Sequence, residues 1–163
     1  MNAVTTFETA LEGQSIVHRT TTDAFADALA AAIDPPAVGV PLPFEAVSLT
    51  ARDITIDPDL DDLEAATTGV TPAGLGIAEY GTVTLPSTAA GGELVSLYVD
   101  RHVAVLAGSD IVPDVETAYS RIDAEGPDTQ ILATGPSATA DMGDLIRGVH
   151  GPHETHVIVL EDQ

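Results

Sequence analysis

Apolar and polar positions change along this chain in short blocks, and each block carries the period of one structural element. Phe7 and Leu11 stand four apart within residues 4–12, the spacing of one face of a short opening helix. Ser15 to Arg19 reads as a strand. Thr22 or Asp23 is placed to cap a helix whose apolar stripe is Phe25, Leu29 and Ile33. Asp34-Pro35-Pro36 ends that helix, because proline lacks the N–H that would continue it. Ala37–Val40 and Ile54–Ile56 read as further strands, Pro43–Val47 as a short helix and Asp59–Ala66 as another helix.

The pattern changes at Thr68. Residues 69–87 are rich in glycine and β-branched side chains, with extended pieces at Ile77–Glu79 and Thr82–Leu85 broken at Tyr80-Gly81. Gly91–Val99 has helical spacing that turns Leu94, Leu97 and Tyr98 inward. Arg101–Leu106 reads as a buried strand, and Asp114 caps a helix through Ala124 with Val115, Ala118, Tyr119 and Ile122 on one face. The C-terminal stretch organises the rest. Ile131–Ala133 ends a buried strand, Thr134–Ser137 turns, and Thr139 caps a helix carrying Met142, Leu145, Ile146 and Val149 on one side. Gly148 closes that helix, and His156–Leu160 is a strand covered on both faces. Strand, helix and strand make a βαβ unit, and ligands sit beyond the carboxyl ends of such strands. The whole alternation predicts an α/β fold in one domain over residues 1–163, three layers deep, with a mostly parallel sheet.

Charge changes this picture. The 163 residues include 26 acidic side chains, five arginines and no lysine, a formal charge of −21, yet 44% are hydrophobic. That apolar content supports a folded core, and the charge excess repels itself unless salt screens it. The balance predicts a protein of a high-salt cytosol, from a halophilic archaeon. It also excludes nucleic acid and an anionic membrane surface as partners, since no basic stripe faces either. No apolar run reaches the length of a membrane span, and the amino terminus lacks a signal peptide's basic start, so a cytoplasmic location is expected. With no cysteine, this chain has no disulfide, no thiolate nucleophile and no thiolate ligand for an iron–sulfur cluster.

Several short motifs carry a family resemblance. Gly135-Pro136-Ser137, Thr139-Ala140-Asp141 and then Arg147-Gly148-Val149-His150-Gly151-Pro152 with Glu154 resemble the C-terminal signature of the LUD-domain family, the LutC/YkgG-like lactate-utilisation proteins. Ile77 to Ser87 resembles that family's central A-E-T-G-T segment, with Tyr80 where threonine is usual. Arg101–Val105 and Ile111–Asp114 fit between them, so the likeness covers roughly residues 70–160. The resemblance implies a Rossmann-like sheet similar to that of the NagB/RpiA/CoA-transferase-like superfamily. It implies a part in oxidising L-lactate to pyruvate, as a non-redox accessory or ligand-binding subunit. Iron–sulfur clusters would then be bound only by partner lactate-utilisation proteins, with no cofactor on this chain. The other reading is an enzyme of the CoA-transferase or sugar-phosphate isomerase class, acting on a carboxylate or acyl thioester.

Three constellations are candidates for chemistry. Glu79, Tyr80, Gly81 and Thr82 place a carboxylate beside a glycine that lets substrate approach the backbone. The turn looks like the E-x-G turn that presents a glutamate nucleophile in CoA transferases, and its structural alternative is a glutamate satisfied by backbone N–H groups. Gly135, Pro136 and Ser137, with Thr139 and Asp141, would offer free N–H groups and hydroxyls at a helix start to an anion; alternatively Ser137 and Thr139 only cap that helix. Arg147 is a candidate to hold a carboxylate or phosphate, or else neutralises the helix end. His150, with Gly151, falls in the family's histidine turn and is a hydrogen-bonding candidate. His150, His153 and His156 recur three apart, but a turn and a strand separate them, and no metal site is expected. The ligands these groups suit are a small carboxylate, a CoA ester or a phosphorylated molecule. The pattern allows a homodimer and marks no contact surface for one.

Overall fold

The computed structural model describes residues 2–50 and 52–163, without the side chains of Glu125 and Asp141. In chain order the first half contains α1 (Ala3–Leu11), β1 (Ile16–Thr20), α2 (Phe25–Ala32), β2 (Ala37–Gly39), β3 (Ile54–Ile56), α3 (Leu60–Ala65) and β4 (Thr68–Pro72). A short hairpin follows, β5 (Gly76–Ile77) and β6 (Thr82–Pro86), then α4 (Gly92–Tyr98), β7 (Arg101–Ala107), β8 (Ile111–Val112) and α5 (Val115–Glu125). The chain closes with β9 (Gln130–Thr134), β10 (Ala138–Asp141), β11 (Asp144–Arg147) and β12 (Glu154–Leu160).

Six strands form one sheet in the order β1-β12-β7-β4-β2-β3, and every neighbouring pair is parallel. Strands β7 and β12 run through the middle as near-continuous apolar segments, because both of their faces are covered. One face packs Val70, Val103, Val105, Ile158 and Leu160 against Phe25 and Leu29 of α2. The opposite face packs Ala104, Leu106, Val157 and Val159 against Phe7 and Leu11 of α1 and against a second sheet, β8-β5-β6-β9. Further along that face, Val38 and Val40 meet Leu63 of α3 and Val95 and Val99 of α4. The mixed α/β, Rossmann-like architecture is therefore the one expected.

Local chemistry explains where the helices start. The Asn2 side chain accepts from the Thr5 N–H at the head of α1, and Asp114 does the same for the Thr117 N–H at α5. Asp59 and Asp62 form a reciprocal capping box on α3. Neither Thr22 nor Asp23 caps α2 with its side chain; the Thr22 N–H instead donates to Asp162 from the far end of the chain.

The largest departure from the sequence reading is at the C-terminal stretch. The helix expected from Thr139 to Val149 is an antiparallel ribbon, β10 paired with β11. Met142 (φ 49°) and Gly143 (φ 88°) are both left-handed, the geometry of a tight two-residue hairpin turn that the Asp-Met-Gly-Asp segment provides. Met142, Leu145, Ile146 and Val149, whose spacing suggested a buried helical stripe, are all exposed. Thr139 therefore caps nothing, and Gly148 (φ 77°) turns the chain without ending a helix. Nor is Ile131–Ala133 a buried strand of the parallel sheet: β9 pairs antiparallel with β6 in the second sheet, and Leu132 is exposed. The βαβ unit at the C-terminus does not form.

Three smaller differences have clear causes. Residues 43–47 turn without forming a helix, with Ala46 left-handed (φ 59°). Strand β4 was not recognisable as a core strand because Val70 is its single large apolar residue. Its Gly69 must be small: an added Cβ would lie 2.8 Å from both Cγ1 and the carbonyl oxygen of Val95. That close seat also sets the rotation of α4, which buries Val95, Ser96 and Val99 and leaves Leu94, Leu97 and Tyr98 outside.

Candidate ligand-binding site

His102 and Thr155 lie side by side near the amino ends of β7 and β12, facing the second sheet. His102 is fully buried, and burial alone pushes its pKa down to about 4. It is a neutral imidazole at neutral pH, with Nε2 2.8 Å from the Thr71 hydroxyl. Thr155 shares a short hydroxyl–hydroxyl contact with Ser15. His102 and Thr155 form the floor of a pocket of about 230 Å³. Ser96 and Leu97 of α4 wall one side, the Thr134–Ser137 bend walls the other, and His150-Gly151-Pro152 closes the rim. A smaller neighbouring cavity reaches from the same His102 and Thr155 to Gly81, Leu11 and Gly135.

The bends on either side are tied together by hydrogen bonds. Thr82 faces Thr134 in register, with their hydroxyls 2.6 Å apart. Gly81 (φ 65°) leans on Leu11, and an added Cβ would lie 2.6 Å from its Cγ. Gly135 (φ 66°) is seated against Gln14, whose Oε1 would lie 3.0 Å from an added Cβ. The Ser137 N–H donates to the Pro152 carbonyl, and the Ser137 carbonyl accepts from the Gly148 N–H, so the GPS bend and the histidine turn hold one another. The Glu79–Thr82 turn and the Gly135–Ser137 bend thus adjoin, although over the amino ends of the strands and not the carboxyl ends expected.

The arrangement separates the candidate residues. Gly135, Pro136, Ser137, His150 and Gly151 line the larger pocket and Gly81 the smaller one, while Thr82 supports the bend from behind. Glu79 lies outside both: its carboxylate accepts from the Val115 N–H at the start of α5. Tyr80 is exposed beside it. Thr139 and Arg147 belong to the exposed ribbon, and the side chain of Asp141 lies outside the described residues. Because Ser137 leads into a strand, no helix N-terminus is offered to an anion there. His150, His153 and His156 diverge: His153 faces Asp100, and His156 Nδ1 is 2.9 Å from His18 Nε2 with the two rings stacked. Among the described residues no group of three or more histidine or acidic side chains is placed to hold a metal ion. His102, Ser96 and Thr155 were not anticipated; the available signal was a histidine inside Arg101–Leu106, a run otherwise apolar after its first residue.

Residues 47–160 match the LUD domain family. The chain belongs to that family. Every wall of the larger pocket falls within the matched residues, and so does His102. This LUD chain is 37% identical over 114 residues to Lactate utilization protein C of Bacillus licheniformis, covering 66% of this chain and 48% of that protein. It is 37% identical over 107 residues to the protein of the same name from Bacillus subtilis, covering 61% and 45%. It thus spans about half the length of the curated relatives it matches. A crystal structure of a DUF162 family protein from Deinococcus radiodurans shares the fold, with a TM-score of 0.70 over 98% of this chain and 96% of that one at 21% identity. In the present LUD domain, no helix among the described residues is long and apolar enough to cross a membrane.

Proposed function

We propose that this LUD domain is a non-redox, ligand-binding component of lactate utilisation, working beside iron–sulfur proteins that carry the electrons. The observation that carries the reading is the pocket over His102. It is lined by the neutral imidazole of His102, by the hydroxyl-bearing residues Ser96, Thr134, Ser137 and Thr155, and by apolar residues Leu85, Leu97 and Ile131. No arginine is among the residues lining it. Neutral donors suit a small, singly charged hydroxy- or oxo-carboxylate. A phosphate or a CoA ester carries more charge and calls for cations at the site. The relatives named Lactate utilization protein C point to lactate and pyruvate as that carboxylate. Electrons released when lactate becomes pyruvate need an acceptor, and a chain without cysteine offers no thiolates for a cluster. The partner proteins supply it.

An enzyme acting on a carboxylate or acyl thioester through Glu79 is the second reading. In its favour, the Glu79 turn adjoins the smaller cavity through Gly81. Against it, the carboxylate is engaged by the Val115 N–H. The test is lactate-dependent reduction of a dye by iron–sulfur lactate-utilisation proteins of the same organism, with and without this chain, in molar KCl. The accessory role predicts that the full rate needs the chain and that the chain alone turns over nothing. An unchanged rate without the chain overturns it, and turnover by the chain alone favours the enzyme.

A further inference from the structure

The ribbon of β10 and β11 stands apart from both larger sheets, its strands pairing only with each other among the described residues. A two-stranded ribbon by itself is marginal in water. This one also leaves apolar side chains uncovered: Met142 at its tip is 99% exposed and Leu145 67%. Strand alternation and the register place Ala138, Ala140 and Leu145 on one face, with Arg147 at its end. Apart from Leu145 and Arg147, that face carries only alanine methyl groups.

Charge is distributed to match. Between Thr129 and His153 there are two acidic residues and one arginine, in a chain whose formal charge is −21. Arg19, Arg101 and Arg121 pair with carboxylates, and Arg52 donates to a backbone carbonyl. Arg147 makes no ion pair among the described residues and stands exposed beside the apolar face. The ribbon thus combines exposed apolar side chains with a sparse charge, two carboxylates against one arginine.

We propose that this ribbon is the contact through which two copies of the chain dimerise. The Ala138, Ala140 and Leu145 faces pack together about a twofold axis, and Arg147 of each copy meets a carboxylate of the other. A second copy fits because its surface supplies carboxylates in excess for Arg147, and because the ribbons meet over a segment with few carboxylates of its own. Anionic membranes and nucleic acid are repelled by the same charge. Ser137 and His150 at the ribbon's root line the ligand pocket, so the second copy also shelters its mouth.

Light scattering during size-exclusion chromatography in molar KCl tests this. The chain is expected at twice its 16.7 kDa mass, and Leu145→Asp with Met142→Asp at the single mass with an unchanged circular dichroism spectrum. Arg147→Glu is expected to weaken association. Because the chain has no cysteine, a cysteine introduced at Leu145 is expected to cross-link two copies on oxidation, and one at Asp123 on α5 is not. A monomer at every concentration, a dimer that survives Leu145→Asp with Met142→Asp, or a ribbon that associates only with a different protein overturns the proposal.

Discussion

The hydroxyl of Thr71 lies 2.8 Å from Nε2 of His102, across two neighbouring parallel strands and on the face that carries the candidate pocket. The pair is buried, and burial holds the imidazole pKa at about 4. It therefore presents one donor and one acceptor nitrogen at neutral pH, a fixed polar point in an apolar sheet. Valine at position 71 keeps the shape and removes the hydroxyl, leaving a buried ring nitrogen without its partner. Thr71→Val is expected to cost about 1–3 kcal/mol, and Thr71→Ser much less, read from denaturant midpoints.

The same histidine makes stability depend on pH. The unfolded chain protonates it below about 6.5, whereas the folded chain does so only at about 4. Between these values the unfolded state binds more protons, so stability falls as pH is lowered through the window, by about 3 kcal/mol in full. His18, its pKa lowered by burial first and by His156 second, adds to the loss in the same direction below its unfolded value. Glu154, lowered chiefly by its hydrogen bond with His156, contributes stability above its unfolded pKa that is lost as pH falls through the lower folded value. Denaturant titrations from about pH 7 to about pH 4 check this. His102→Gln is expected to flatten the upper part of the curve.

Two glycines separate backbone strain from crowding. Gly81 and Gly91 are both left-handed, but a Cβ at Gly91 meets nothing within 4 Å, whereas one at Gly81 meets Leu11 at 2.6 Å. Gly91→Ala is expected to cost about 1–2 kcal/mol, and Gly81→Ala more by about 1–3 kcal/mol of overpacking. Equal losses in thermal unfolding would contradict the account of how α1 buttresses the site.

Most of the central sheet was legible because its strands are buried on both faces. Val103–Leu106 and Val157–Leu160 are unbroken apolar runs, too short for a buried helix and each preceded by a histidine, which leaves little alternative to a core strand. The cap Asp114 was readable because a cap is set by its own few residues. The ribbon was not. Met142, Leu145, Ile146 and Val149 have helical spacing, and only the turn residue Gly143 argued otherwise; apolar spacing says nothing of position when the residues face solvent. The site was half legible: the GPS and histidine turns are set by sequence motifs, but the polar lining from Ser96, His102 and Thr155 comes from strand register and helix rotation, which the chain pattern does not display.

Salt should govern stability more than in an ordinary domain. With a formal charge of −21, repulsion at low ionic strength is long-ranged, and it is screened within about 3 Å at about 1 M salt. The melting temperature is expected to rise steadily with KCl to molar concentration, and an unchanged value would contradict the salt-adapted reading.

The proposed receptor for a small carboxylate is the pocket over His102, and not the Glu79 carboxylate. Calorimetric titration of L-lactate and pyruvate in molar KCl tests it most directly. Saturable binding is predicted for the unaltered chain and for Glu79→Gln, and its loss in the combined variant Ser137→Ala, His150→Ala. No binding of either carboxylate, or binding that disappears with Glu79→Gln and survives the pocket variant, would contradict it.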